Sequence, residues 1–511
     1  MEIVNVPPSA GPHRYHPGRG EGRVGSVPLT PTVDNSSDRH AERCGEPRPE
    51  RLAARDAQRE KVLAELTEML RETLERLPLS GEGALDLDAI EVAVQRDLRR
   101  VGGRVVEHAL SERCLDCETR RPHCPRCQRI MEREQREREV QGLVGSYTWS
   151  RGYYSCRNCH THHVPADREL GVGPGALSPA LSRIAAMTAA EMPFGRAAAA
   201  INQSLGTELS ETEVYRTAEA LGIVAEQDLA AGTPDQPPAP ALSPTLLIGA
   251  DGTTTFTDGD WHEVKVGVVA PLGPKLDTDP KTGRQSLVVG EKSYCALVGT
   301  ADDFFPRLER LARTAGWGGP QVERIVAIGD GGPWIWKRML AFQKGVDLVE
   351  ILDYIHASQH IWALAGAVFG AGTLDAHAWA EPICVALKEE GPAALLSALD
   401  RLRPQTPEAS KAFATTNEYF RTHAAAGRME YPTFAAQGWP IASGVVEAAC
   451  STVVCQRTKG AGKRWRRRGA QAILNLRCLH LSPPRWKSFF QTRPGLRRPP
   501  VATLRQEATA A

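Results

Sequence analysis

No run of 18 or more apolar residues occurs in this 511-residue chain, so no segment offers the length a helix needs to cross a bilayer. The N-terminal stretch M-E-I-V-N-V-P-P-S-A-G-P-H-R lacks an apolar signal-peptide core, and a cytoplasmic location is expected. Net charge is nearly absent: 62 basic against 61 acidic residues leave +1. The chain as a whole therefore does not announce a nucleic-acid partner, and any basic character has to be local. The twelve cysteines are not spread as a disulfide framework would spread them. Six fall in three C-x-x-C pairs between Cys114 and Cys159, which in a reducing compartment points to metal. A phosphate-binding P-loop is also missing. Gly460-Ala-Gly-Lys463 lacks the first glycine at the required distance and the Ser or Thr after the lysine, so no nucleotide cofactor is expected.

What is present is apolar content of 41%, enough for two or three domains with cores of their own. Residues 1–50, rich in Pro, Gly, Arg, Ser and His, read as a disordered tail. Residues 51–110 read as helical. Val62, Leu63, Leu66, Met69, Leu70, Leu74 and Leu77 recur at helical spacing, and a second helix is expected over Leu87–Leu110. Its Arg96, Arg99, Arg100 and Arg104 are either phosphate contacts or a solvated face. Over 111–168, Cys124-Pro-Arg-Cys127 and Cys156-Arg-Asn-Cys159 flank two expected strands, Leu143–Trp149 and Gly152–Ser155. Two such knuckles joined by a hairpin describe a zinc ribbon holding structural Zn²⁺ on four thiolates. Cys114 and Cys117 are left over, either half of a second site with nearby histidines or no site.

Residues 176–231 read as helices over Ser178–Met192, Phe194–Leu205 and Glu211–Leu229, the last opened by a capping box of Ser210 and Glu213. They suit a DNA reader or a dimerising bundle. The Pro-rich stretch 232–244 reads as a linker. Beyond it the pattern turns α/β. Thr245–Ala250 is a strand, a turn through Thr257-Asp-Gly-Asp260 returns as His262–Ala270, and Ser293–Val298 is a third strand. A strand ending at Asp330 and another over Asp347–Leu352 alternate with helices. Three hairpin-linked strands, then two strands alternating with helices, is the order of an RNase H-like fold. The expected class is therefore α/β: an RNase H-like catalytic domain over 245–482, with a helical insertion at about 372–437, preceded by helical segments and the zinc ribbon. Residues 483–511 read as a disordered basic tail.

Asp251 and Asp330 each end an apolar strand and precede glycine, while Ser443-Gly-Val-Val-Glu447 opens a helix with Glu447 in its first turns. Each acid alone is an ordinary turn or helix-start residue. Together they stand where a sheet edge and a crossing helix would gather them. Three carboxylates are the donor set Mg²⁺ (or Mn²⁺) prefers, and divalent metal is what phosphodiester cleavage needs. Downstream, Arg457, Lys459, Lys463, Arg464, Arg466, Arg467 and Arg468 crowd around Trp465. Phosphates attract such a cluster and a base can stack on the ring. Its alternative is a solvated helix end with a core tryptophan.

These stretches resemble an insertion-sequence transposase with a DDE catalytic domain, of the ISKra type and related to Mutator-like transposases. The resemblance is carried by Tyr153-Tyr-Ser-Cys-Arg-Asn-Cys159, Gly249-Ala-Asp-Gly-Thr253, Gly329-Asp-Gly331 with Trp334, Asp353-Tyr-Ile-His356, Gly438-Trp-Pro-Ile-Ala-Ser-Gly-Val-Val-Glu447 and Arg457-Thr-Lys-Gly-Ala-Gly-Lys-Arg-Trp465. It implies a DNA transposase that binds terminal inverted repeats, cuts element ends and joins them to target DNA, working as a homo-oligomer on DNA. It assigns Asp251, Asp330 and Glu447 to the metal triad, and Asp353 and His356 to a D-x-x-H motif beside it. The rival readings are a nuclease or recombinase of the same fold without strand transfer, and a domesticated zinc-containing DNA-binding protein without catalysis.

Overall fold

The computed structural model describes residues 49–77, 86–116, 122–173, 175–231, 241–278, 283 and 285–492. The readings for 1–48, 232–240 and 493–511, and for Cys117, lie outside the described residues. No described helix is long and apolar enough to cross a membrane.

Two long helices come first, α1 (Pro49–Arg76) and α2 (Leu87–Asp116). They run antiparallel, with Arg104 on Glu65 (2.7 Å) and Arg76 near Asp97 (3.9 Å). Two of the α2 arginines are engaged within the fold: Arg99 donates to the Leu143 carbonyl (2.7 Å) and Arg104 pairs with Glu65 and Glu107, while Arg96 and Arg100 stay exposed on either side of Asp97. Next come β1 (Glu132–Gly142) and β2 (Gly145–Ser155), an antiparallel hairpin around Leu143-Val144, with β3 (His162–His163) on the β2 edge. The hairpin differs from the expected pair. Leu143–Trp149 and Gly152–Ser155 belong to the turn and to one continuous strand, and its partner is the charged run from Glu132. Helix α2 lies close on this hairpin because Gly103 faces the Ser146 carbonyl, which an added Cβ would meet at 2.4 Å.

After α3 (Pro165–Leu170), three alanine-rich helices follow: α4 (Pro179–Glu191), α5 (Phe194–Leu205) and α6 (Glu211–Ala231). The capping box forms as expected, with Ser210 N–H donating to Glu213 (2.8 Å) and Glu213 N–H to Ser210 Oγ (3.2 Å).

The large sheet is mixed. Its first strand, β4 (Thr245–Thr257), pairs antiparallel with β5 (Asp260–Thr278). The far half of β5 pairs with β6 (Gln285–Val289) and its near half with β7 (Ser293–Val298). After α7 (Ala301–Thr314), β8 (Arg324–Gly329) joins β4 in parallel. Helix α8 (Pro333–Met339) leads to β9 (Asp347–Leu352), parallel to β8. The order is β6-β5-β4-β8-β9, with β7 on β5. Near-continuous apolar runs fit strands covered on both faces: all six β8 residues but Arg324 are buried.

Helix α9 (Tyr354–Phe369) precedes four helices over the stretch read as an insertion: α10 (Leu374–Glu390), α11 (Ala393–Arg401), α12 (Pro407–Ala425) and α13 (Tyr431–Ala436). Then α14 (Gly444–Ala449) passes through a π-helical stretch, Cys450–Cys455, into α15 (Gln456–Thr458). The described residues end in α16 (Arg467–His480) and α17 (Pro483–Thr492). Helix α17 corrects the tail reading from 483: Phe489 and Phe490 are buried against Ala225 and Leu479. Helix α16 serves two cores. Ile473 and Leu476 join α4–α6, while Leu474 and Cys478 join Val264, Val266 and Val298 of the sheet.

Candidate active site

The parallel register sets the geometry. Thr245 pairs with Arg324 and Gly249 with Ile328, so two rungs further on Asp251 stands level with Asp330. Gly329 pairs with Leu352, so the next rung sets Asp330 beside Asp353. Three aspartates on three neighbouring strands thus share one rung, past the C-terminal ends of β8 and β9. Asp251 does not end its strand, as its Asp-Gly sequence suggested. Strand β4 runs six residues further because β5 pairs with it as far as Thr257.

Gly249 decides which helix covers this edge. A Cβ there would lie 2.2 Å from Val446 Cγ2 of α14 and 3.1 Å from Val268. Side chains alternate along a strand, so Asp251 faces the same side, toward the helix that carries Glu447. Gly249→Ala is therefore expected to push α14 off the sheet and to lower unfolding free energy by about 1–3 kcal/mol, the usual cost of overpacking. A denaturant titration with an unchanged midpoint would refute this close-approach role.

Asp251 is half-buried, and its Oδ1 accepts from Gly252 N–H (2.6 Å). Burial pushes its carboxyl above the ordinary range, and the Asp330 charge adds to this. The Cys450 thiol, on the π-helical stretch, also bonds it. Asp330, likewise half-buried, accepts from Gly332 N–H (2.9 Å). Its backbone carbonyl accepts from the Tyr419 hydroxyl (3.1 Å) of the insertion. Between these two aspartate-anchored bonds, Gly331 adopts φ +94°, and a Cβ there would be 2.5 Å from that hydroxyl. Only glycine suits both constraints.

Asp353 is 1% exposed and caps α9, accepting from Ile355 N–H (2.8 Å), His356 Nδ1 (2.8 Å) and Ser443 Oγ. Burial alone would raise its carboxyl, but the bonds from His356 and Ser443 hold it below the usual range. The Asp353 bond raises His356, burial opposes it, and the charges of Asp330 and Asp251 raise it further. The D-x-x-H pair is thus a buried tie between α9 and the start of α14, with its imidazole in the field of both other aspartates. Ser443 and Tyr419 were not singled out from sequence. Ser443 stood within the quoted motif, but nothing local marked Tyr419.

Glu447 is exposed on α14. Among the described residues, the only group of three or more His, Cys, Asp or Glu side chains with all ligand atoms within 4.8 Å of one another is Cys124, Cys127, Cys156 and Cys159. The structure therefore brings Asp251, Asp330 and His356 into one field but does not draw Glu447 into a tight triad with the two aspartates.

The four cysteines form the arrangement their spacing predicts and could hold a metal ion such as zinc. Cys124 and Cys159 sulfurs are 3.3 Å apart and those of Cys127 and Cys156 3.4 Å, with none in a disulfide. Tetrahedral thiolates at ordinary Zn–S lengths stand about 3.8 Å apart. The knuckles match one another. Gln128 and His160, each just past its second cysteine, take positive φ (59° and 53°). Their N–H groups return to the Cys124 and Cys156 carbonyls (2.9 Å each). Thr161, through its hydroxyl, draws the Cys159 thiol down toward a thiolate.

The basic cluster divides. Arg457 is 2% exposed and donates to the Ala189 carbonyl (2.8 Å) between the rings of Phe194 and Trp465. Burial, with the Arg477 charge beside it, pulls it down to about 10. It does not lie on the open surface, as its position in the run suggested: α15 holds it against the α4–α5 core. Trp465 Nε1 donates to the Thr458 carbonyl (3.2 Å) and Arg467 to the Val298 carbonyl (2.8 Å), so both are partly structural. Lys463 donates to the Arg457 carbonyl (3.1 Å). Lys459 reaches Thr253 Oγ1 (2.9 Å), two residues beyond Asp251 on the same face of β4. Arg464, Arg466 and Arg468 are exposed. No family model and no curated protein matches the chain.

Proposed function

We propose that the chain is a metal-dependent DNA transposase with an RNase H-like catalytic domain, of the DDE class its motifs resemble. The observation that carries this reading is the shared rung of Asp251 and Asp330, with the Glu447 helix packed on the Asp251 side through Gly249. Strand order supports the fold assignment: hairpin-linked β4, β5 and β7, then β8 and β9 alternating with helices.

The donor set fits a hard divalent cation. Two half-buried carboxylates close enough to raise one of them are an excess of negative charge, and oxygen is the ligand Mg²⁺ takes. Asp251 and Asp330 would hold it, with Glu447 on the neighbouring helix as the third donor that the resemblance assigns. When bound there, Mg²⁺ or Mn²⁺ supplies Lewis acidity for displacement at phosphorus. The chain's own groups do the rest. Gly332 N–H and Tyr419 fix Asp330 at the strand end, and the Asp353–His356–Ser443 tie holds the root of α14. Lys459 sets a cation on the same face for the phosphate backbone. Hydrolysis at the element end frees a 3′-hydroxyl, which attacks a target phosphodiester in a second displacement. The four-cysteine cluster is assigned a structural Zn²⁺. Because two element ends must be joined together, the working form is a homo-oligomer on DNA.

A labelled duplex carrying the element end, incubated with target DNA and Mg²⁺, tests the reading. Joined products are expected. Cleavage without joining would replace the transposase with a nuclease, and binding without cutting by folded, zinc-loaded protein would replace both with a DNA-binding protein.

A further inference from the structure

A cleft of about 420 Å³ opens where the α5–α6 bundle meets the segment before α16, away from the carboxylates. Aromatic rings of Phe194, Tyr215 and Trp465 line it, together with Lys463, Arg464 and Arg466. Phe194 stands edge-on to both other rings, at 5.2 Å from Tyr215 and 6.0 Å from Trp465. Glu211 is the one acid in its wall.

Arg457 makes this more than a basic dent. It lines the cleft, is 2% exposed, and its Nη2 is buried with no hydrogen-bond partner. A buried guanidinium donor without an acceptor is costly and rare in folded proteins. An anionic oxygen entering the cleft would satisfy it, and flat rings around that oxygen suit a nucleobase. The Trp465 end of this cleft is set off from the acid rung along β4. Trp465 bridges to Thr257, and its carbonyl accepts from Asp258 N–H (2.9 Å). Thr257 is six residues beyond Asp251 on β4, or roughly 20 Å at strand rise.

We propose that this cleft is a strand-anchoring subsite, which takes one unpaired nucleotide of a bound DNA with its phosphate toward Arg457 and its base among the rings. The occupant is part of a strand rather than a free nucleotide, because exposed Arg464, Arg466 and Arg468 continue beside the cleft with charge for further phosphates. The proposal rests on the reading that the chain acts on DNA, but not on the carboxylates.

Its test is binding by the full zinc-loaded chain without divalent metal, read by fluorescence anisotropy. Three ligands are compared: a blunt duplex, the same duplex with a short single-stranded overhang, and adenosine monophosphate. The overhang is expected to raise affinity about tenfold, within the range of base–aromatic stacking. Exchanging the exposed pair, Arg464→Gln with Arg466→Gln, is expected to abolish that preference and to flatten the salt dependence by about 1.4 log units per log unit, two single-strand phosphate contacts. An Arg401→Gln, Lys411→Gln protein, with the same charge loss elsewhere on the surface, should retain the preference. Equal affinity for blunt and overhanging DNA would overturn the proposal. So would a preference that survives the paired exchange, or saturation by the mononucleotide at concentrations where it displaces the strand. Asp330→Asn protein should bind as wild type does, so loss of the subsite and loss of strand transfer are separate results.

Discussion

Asp330→Asn should leave DNA binding intact and slow strand cleavage by about 10³-fold, roughly 4 kcal/mol of lost transition-state stabilisation. The substitution keeps the oxygen that accepts from Gly332 N–H, so the strand end and Gly331 turn stay in place. It removes one of the three aspartate charges on the rung, and with it the repulsion that adds to burial in raising Asp251. Metal demand should change accordingly, and raised Mn²⁺ should restore only part of the rate. The check is single-turnover cleavage of an end-bearing duplex across a metal titration, with binding followed in parallel. Cleavage within tenfold of wild type would remove Asp330 from the catalytic set and take the metal assignment with it.

Chelation should release one zinc per chain and open a limited part of the molecule. The knuckles around Cys124–Cys127 and Cys156–Cys159 have only Met131 and Tyr154 as a buried apolar core of their own, so a metal on the four thiolates would be what holds them together. The other end of the hairpin is independent of it, since α2 locks onto Gly145 and Ser146 through backbone contacts at Arg99 and Gly103. Amide protection should therefore fall by roughly 10³-fold or more over the knuckles, while the β4–β8 pair keeps its protection. Cys156→Ser should behave as the chelated protein does. A chain that carries no zinc as purified, with slow exchange at the knuckles, would sink the structural-metal assignment.

Much of this was legible in the residues. Apolar β-branched runs closed by Asp-Gly or Gly-Asp-Gly marked β4 and β8, and Ser210 with Glu213 marked the start of α6. The four cysteines needed only their spacing. What escaped was what depends on partners distant in sequence. Glu132–Gly142 is too charged to show a two-residue period, and it is a strand only because β2 supplies the other half of its ladder. Strand β4 outruns Asp251 for the same reason. Arg457 reads as one more surface cation until α4 supplies the carbonyl that holds it inside. Glu447 lies on the helix that packs on Gly249, but period and spacing carry no information on how close a side chain on a crossing helix comes to a sheet edge.

Helix α16 has a consequence for how the chain is made. The α4–α6 bundle leaves the ribosome some 240 residues before the helix that completes it. At ordinary elongation rates that is about 10–50 seconds of synthesis with an apolar groove unfilled. The nascent bundle is expected to need a chaperone over that interval, and the sheet waits for the same segment. Cutting the chain between residues 231 and 241 would nick the backbone without releasing either half. A gene split at that point should yield two insoluble fragments unless the pair is co-expressed.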